Sequence, residues 1–235
     1  GLPGEHFRSI YQSILAHRNL RVALPVEVWV AAEDLAVCKG VFEASDAFQF
    51  PLPGHAEVGR DAEPVQGSTT CHPMAAQATG FAAKFHALLG TALTDVLFMD
   101  ADNIAVRDVN QIFDSAQYRD TGAVLWPDLW GNSCRGSALR SDKGYAAFST
   151  NVLWQAQVGG LQWQPTRQCA QEAEAGQIAF DLTRHGALLE VGLLLMEGGG
   201  LLKNAVNGDK DVFRLLHLMV GEPFSFVDTL PGYST

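Results

Sequence analysis

The chain has 235 residues and a formal net charge of −10, from 16 Lys plus Arg against 26 Asp plus Glu. At 47% hydrophobic and 18% charged residues it can bury a core, which excludes a disordered chain. No basic block appears anywhere, which excludes nucleic acid as a partner, and the acidic balance makes any anionic substrate depend on a metal ion or on a few placed cations. No apolar stretch reaches the length of a membrane span, and the N-terminus lacks signal-peptide form, so the chain is expected to be a trimmed part of something longer.

Residues 5–18 set Phe7, Ile10, Tyr11, Ile14 and Leu15 on one face, the pattern of an amphipathic helix. Residues 24–31 read as a strand, 48–53 as a short extended piece between prolines, and 55–73 as a loop rich in Gly, Pro and Thr. A helix is predicted over 79–91, packed on a strand over 95–99. A short helix over 109–118 leads to a strand over 122–126. Residues 130–173 form an irregular insertion, and a strand follows over 176–181. Residues 183–197 form a helix ended by Gly198-Gly199-Gly200. A last helix runs to Val220, capped by Asn207 or Asp209, before a final strand over 223–227. This alternation predicts an α/β fold with a mostly parallel central sheet flanked by helices, in one domain spanning 1–235. Cys38, Cys71, Cys134 and Cys169 are too widely spaced for a zinc knuckle. They allow two disulfides in three pairings or four thiols, and spacing ranks none of these.

The most informative motif is Asp100-Ala101-Asp102, placed directly after the apolar run Val96-Leu97-Phe98-Met99. Such a run reads as a central strand that delivers two carboxylates to a sheet edge. Residues two apart point to the same side in extended geometry. Two carboxylates held this way suit a hard divalent cation, and that cation suits a diphosphate. Ligands of open α/β sheets bind at the carboxyl ends of strands, which is where this pair falls. His72, His86 and His185 have no partner at metal-ligand spacing and read as structural.

The run from Lys84 to Trp130 (KFHALLGTALTDVLFMDADNIAVRDVNQIFDSAQYRDTGAVLWPDLW) strongly resembles the fungal MNN1-type α-mannosyltransferases. Glu174-Ala175-Gly176-Gln177 and Gly208-Asp209-Lys210-Asp211 are similar to later motifs of that family, in the same order, although the family usually has Ser where this chain has Ala175. The resemblance covers roughly residues 24–227 apart from the insertion. It implies a GT-A-like nucleotide-sugar-binding fold and a metal-dependent, retaining glycosyltransferase with Mn²⁺ or Mg²⁺ as cofactor. By resemblance Asp100 and Asp102 are the metal-binding acids, and Asp100, Asn103 and Lys84 serve the nucleotide-sugar donor. Glu174 and Gln177 lie near the transferred sugar, and Asp209 holds its hydroxyls. Enzymes of this type commonly complete the metal shell with a His beyond the last strand. None stands there, and His217 comes too early, so the third ligand is expected to be missing from this chain, by trimming or by divergence.

The implied function is transfer of a hexose, mannose from GDP-mannose, to a hydroxyl of a glycan or glycoprotein acceptor with retention of configuration. The implied location is the Golgi lumen, with the full-length protein a type II membrane protein. Two alternatives stand beside it: a retaining transferase using a UDP-sugar, and a non-catalytic GT-A-like module that binds glycan or protein. Each site residue also has a plainer reading. Asp100 and Asp102 would form a solvated turn, and Lys84 would extend from its helix to solvent. Glu174 and Asp209 would be exposed acids at helix starts or in loops. Of Trp130, Trp154 and Trp163, only Trp130 is assigned a stacking role on acceptor sugars.

Overall fold

The computed structural model describes residues 4–43, 67–78, 80–128, 173–197, 208–209 and 211–228. The extended piece over 48–53, the greater part of the insertion and Trp130, Trp154 and Trp163 lie outside the described residues. The described chain is a mixed α/β fold with sheets flanked by helices, as a GT-A-like fold requires. Its contacts divide it into two compact units. The first joins Gly1–Gln77 with Asp100–Gln111, and the second joins Ala78–Met99 with Ile112–Thr235.

In the first unit, helix α1 (Gly4–Asn19) is followed by strand β1 (Val26–Val30) and a short helix α2 (Leu35–Cys38). Strand β2 (Thr69–Pro73) lies parallel to β1, with Val28 opposite Cys71. The apolar face of α1 buries Phe7 and Ile14 against Val28, Val30, Phe42 and the two cysteines. Arg18 is buried at the end of α1, and its guanidinium donates to the carbonyls of Val22 (2.8 Å), Leu24 (2.9 Å) and Ser68 (3.3 Å). Gly67 leaves room for this, since a Cβ there would fall 2.3 Å from the guanidinium.

The last part of the expected loop over 55–73 is therefore a strand. Its Gly-, Pro- and Thr-rich composition hid what tertiary contacts enforce. Cys71 N–H donates to Glu43 Oε1 at 2.7 Å, and Cys71 is disulfide-bonded to Cys38 with Cα atoms 6.0 Å apart. The bridge closes a loop of sequence separation 33, which by chain entropy contributes about 4 kcal/mol. We expect Cys71→Ser, or reduction, to lower the unfolding free energy of the first unit by about that amount. Denaturant titrations with and without reductant check this.

The second unit holds helix α3 (Ala83–Gly90), strand β3 (Asp95–Met99), helices α4 (Asn110–Phe113, entering from the first unit) and α5 (Ala116–Thr121), and strand β4 (Ala123–Pro127). Strand β5 (Ala173–Asp181), helices α6 (Leu182–Met196) and α7 (Val212–Val220) and strand β6 (Ser225–Phe226) complete it. The strands lie in the order β3-β5-β4-β6. β5 is antiparallel to both β3 and β4, and β6 is parallel to β4, so three strands share a direction and β5 opposes them.

β3 was expected at the centre of the sheet, yet among the described residues it is an outer strand paired with β5. Its unbroken apolar run has another cause. Val96 and Phe98 pack into the main core while Leu97 packs on the opposite face. Covering on both faces selects apolar residues without alternation. The main core joins Phe85, Leu125, Ile178, Phe180, Leu189, Phe213 and Leu216. Gly192 lets α6 approach its neighbours closely, for a Cβ there would meet Phe85 at 2.3 Å and Leu216 at 2.6 Å. Asp181 caps α6 through Thr183 N–H (2.9 Å) and Arg184 N–H (3.2 Å).

Candidate active site

Because β5 opposes β3 and β4, its first residues lie at the edge where those two strands end. Met99, the last residue of β3, pairs with Gln177, and Pro127, the last of β4, pairs with Ala173. At this edge the register with β4 breaks. Leu125 faces Ile178 while the next residue, Trp126, faces Glu174, so Ala175, Gly176 and Gln177 have no counterpart on β4. Bulges of this kind re-aim side chains and are common beside active sites. Glu174 closes the bulge, its Oε1 accepting from Ala175 N–H (2.9 Å) and Gly176 N–H (2.8 Å). It is thus a fixed acid in a strand and not the exposed loop or helix acid of the plainer reading.

Lys84, on the first turn of α3, reaches the same place. Its Nζ lies 2.5 Å from Asp209 Oδ2, donates to the Ala175 carbonyl at 2.7 Å and stands 5.4 Å from the centre of the Phe98 ring. The Lys84–Asp209 contact is an ion pair by distance, not a well-aligned hydrogen bond. Its side chains are only 13% and 10% exposed. This sets aside the plainer readings, in which Lys84 extends to solvent and Asp209 is an exposed acid at a helix start. Asp209 precedes α7 and can be buried because Lys84 provides the cation that a buried carboxylate needs.

Asp211, which sequence reasoning quoted without a role, anchors the segment. It is 2% exposed, and its Oδ1 accepts from Ala173 N–H (2.7 Å) and from Arg214 (2.8 Å). It adopts φ of +62°, in the left-handed region that Asp tolerates better than most side chains. The signal for this role was the Asp211-x-x-Arg214 spacing, which puts both on one helix face. The second unit therefore brings together Lys84, Asp209, Glu174 and Gln177 at one sheet edge. It adds Asp211, Arg214 and the Ala175 carbonyl, which sequence reasoning missed.

Asp100, Asp102 and Asn103 belong to the first unit. They form a turn in which Asn103 N–H donates to the Asp100 carbonyl at 2.9 Å. Asp102 is exposed and Asp100 half-buried. The turn offers two carboxylates, hard oxygen donors of the kind that hard divalent cations take.

The closing role of Glu174 can be measured. We expect Glu174→Ala to destabilise the second unit by about 1–3 kcal/mol, because two backbone N–H groups lose their acceptor. Glu174→Gln, which keeps one side-chain oxygen, should cost less. Thermal denaturation of the two variants compares them.

The chain is 27% identical to an α-1,2-mannosyltransferase of Candida albicans, MNN22, over 191 residues, which are 63% of this chain and 31% of that protein. It is 38% identical to the α-1,2-mannosyltransferase MNN5 of Saccharomyces cerevisiae over 52 residues, covering 22% of this chain and 9% of MNN5. The matched region thus spans less than a third of these relatives. Among solved structures, the apo form of the bifunctional glycosyltransferase WbbM aligns over 87% of this chain and 38% of its own, with a TM-score of 0.46 and 15% identity. The model of the family described as "Mannosyltransferase putative" matches residues 2–233, and the chain belongs to that family.

Proposed function

We propose that this chain carries the donor-handling part of a retaining mannosyltransferase that moves mannose from GDP-mannose to a glycan hydroxyl in the lumen of the Golgi. The observation that carries the reading is the Lys84–Asp209 pair held beside the bulge of β5, with Glu174 and Gln177 on the same strand. Buried, pre-oriented charge at the end of a sheet is arranged for a polar ligand. Membership of a mannosyltransferase family makes a hexose the natural one. The relatives' α-1,2-mannosyltransferase activity supports that linkage here.

Asp209 accepts from hydroxyls of the transferred sugar, and Lys84 holds its carboxylate in one orientation. Glu174 keeps the bulge closed so that Gln177 presents its amide from a fixed backbone. Both acids position the sugar; neither is assigned the part of a nucleophile. Asp100 and Asp102 would hold a divalent cation, Mn²⁺ or Mg²⁺, and Asn103 fixes the turn that carries them. That cation, when bound, supplies charge neutralisation for the leaving diphosphate. A lumenal setting agrees with the Cys38–Cys71 disulfide, since such bonds persist in oxidising compartments. No helix among the described residues is long and apolar enough to cross a membrane, and the type II topology proposed for the full-length protein rests on the family resemblance.

Donor choice is tested by titrating the chain with GDP-mannose, UDP-glucose and UDP-galactose in Mn²⁺. The reading requires GDP-mannose to bind at least ten-fold tighter, a difference of about 1.4 kcal/mol. Preference for a UDP-sugar would replace the donor. Equal failure of all three would favour a non-catalytic module.

A further inference from the structure

At the opposite end of β5 from the Lys84–Asp209 pair, three side chains from separate places in the second unit converge. His185 lies in the first turn of α6, His217 near the end of α7, and Glu222 just past Gly221, which ends α7. One ligand atom from each lies within 4.8 Å of the other two. We infer that His185, His217 and Glu222 form a site for a borderline divalent cation, of which Zn²⁺ is the physiological example, separate from the sugar-handling edge.

Two independent observations support the site. His217 is fully buried, yet neither of its ring nitrogens makes a hydrogen bond. An orphaned buried polar group is costly, and coordination of a cation is one way to satisfy an imidazole lone pair. The Glu222 backbone comes near the ring without an aligned hydrogen bond.

His185 is held as a metal-ligating histidine usually is. Its Nε2 contacts the Thr121 carbonyl at 2.9 Å, leaving Nδ1 turned to Glu222 Oε2 at 2.7 Å. A ring N–H given to a backbone carbonyl fixes the tautomer and orients the other nitrogen toward a cation. The Nδ1–Oε2 contact holds one proton, which the incoming cation displaces to solvent. Two imidazoles and one carboxylate suit zinc, and the Glu222 side chain, 37% exposed, leaves a path for entry and for a water as fourth ligand. Phe180 and Phe224 pack against His217, at 5.7 and 5.3 Å between ring centres, and make the surroundings apolar. A cation there would tie the start of α6 to the end of α7, so its first effect would be on stability.

The test is a zinc competition titration against a chromogenic chelator on the tag-free full chain, with Co²⁺ spectra and melting curves alongside. The expected result is one tight equivalent that survives Asp102→Asn, raises the melting temperature and gives the visible absorption of four-coordinate Co²⁺. His217→Phe should abolish it, and Glu222→Gln should weaken it by about 10-fold or more. Glu222 is on the surface, so Glu222→Gln decides the matter even where His217→Phe fails to fold. Absence of zinc binding in the unmutated chain, or affinity unchanged by Glu222→Gln, would overturn the site.

Discussion

Lys84→Met is expected to destabilise the second unit by about 3 kcal/mol or more, because it leaves the Asp209 carboxylate buried without its cation. Methionine keeps the length and apolar stem of lysine, so lost packing contributes little. The ammonium also donates to the Ala175 carbonyl, which would lose that partner inside the bulge. In a chain of this size the loss corresponds to a fall in melting temperature of roughly 6–12 °C. Asp209→Leu alone should be costly as well, since it strands the lysine charge. The double variant should recover much of the loss, because a buried ion pair replaced as a whole by apolar groups is often neutral. Denaturation of the four proteins in a double-mutant cycle gives the coupling. Additive single effects would mean that the two charges do not depend on each other.

The second large effect is on activity. Asp102→Asn should leave stability within about 0.5 kcal/mol, because the residue is exposed. It should lower mannosyl transfer by about 10²–10³-fold, the range seen when one electrostatic stabiliser of a developing charge is removed. An amide retains an oxygen donor but not the charge that a hard cation requires. The gain in GDP-mannose affinity from Mn²⁺ should shrink in the same variant. Melting curves, donor titrations and transfer rates on one preparation separate these effects. Unchanged transfer would remove Asp102 from the metal site.

Much of the fold was legible where local pattern and tertiary setting agree. Helices α1, α6 and α7 follow their apolar periodicity, and β1, β3 and β4 fall on their apolar runs. β2 was not legible, because its strand character comes from pairing with β1 and from the Cys38–Cys71 bond. Among the described residues β3 is an outer strand, and its sequence could not tell this from a central position, because a double-sided covering leaves the same apolar signature.

At the candidate site, the residue list came from motifs, but their partners did not. That Lys84 neutralises Asp209 depends on α3 and the segment before α7 meeting at one edge. That Glu174 closes a bulge depends on the register of β5 against β4. Neither relation has a sequence spacing. The same holds for the convergence of His185, read as structural from its spacing, with His217 and Glu222.

The most direct single measurement is Mn²⁺-dependent transfer of radiolabelled mannose from GDP-mannose to an α-mannoside acceptor by the purified full-length protein, followed with product anomer and linkage by NMR. The expected result is an α-mannosyl product, formed with Mn²⁺ and lost with chelator, in which the donor's anomeric configuration is retained. Equal product with and without chelator, an inverted anomer, or no transfer from GDP-mannose alongside transfer from a UDP-sugar would each contradict a metal-dependent, retaining mannosyltransferase.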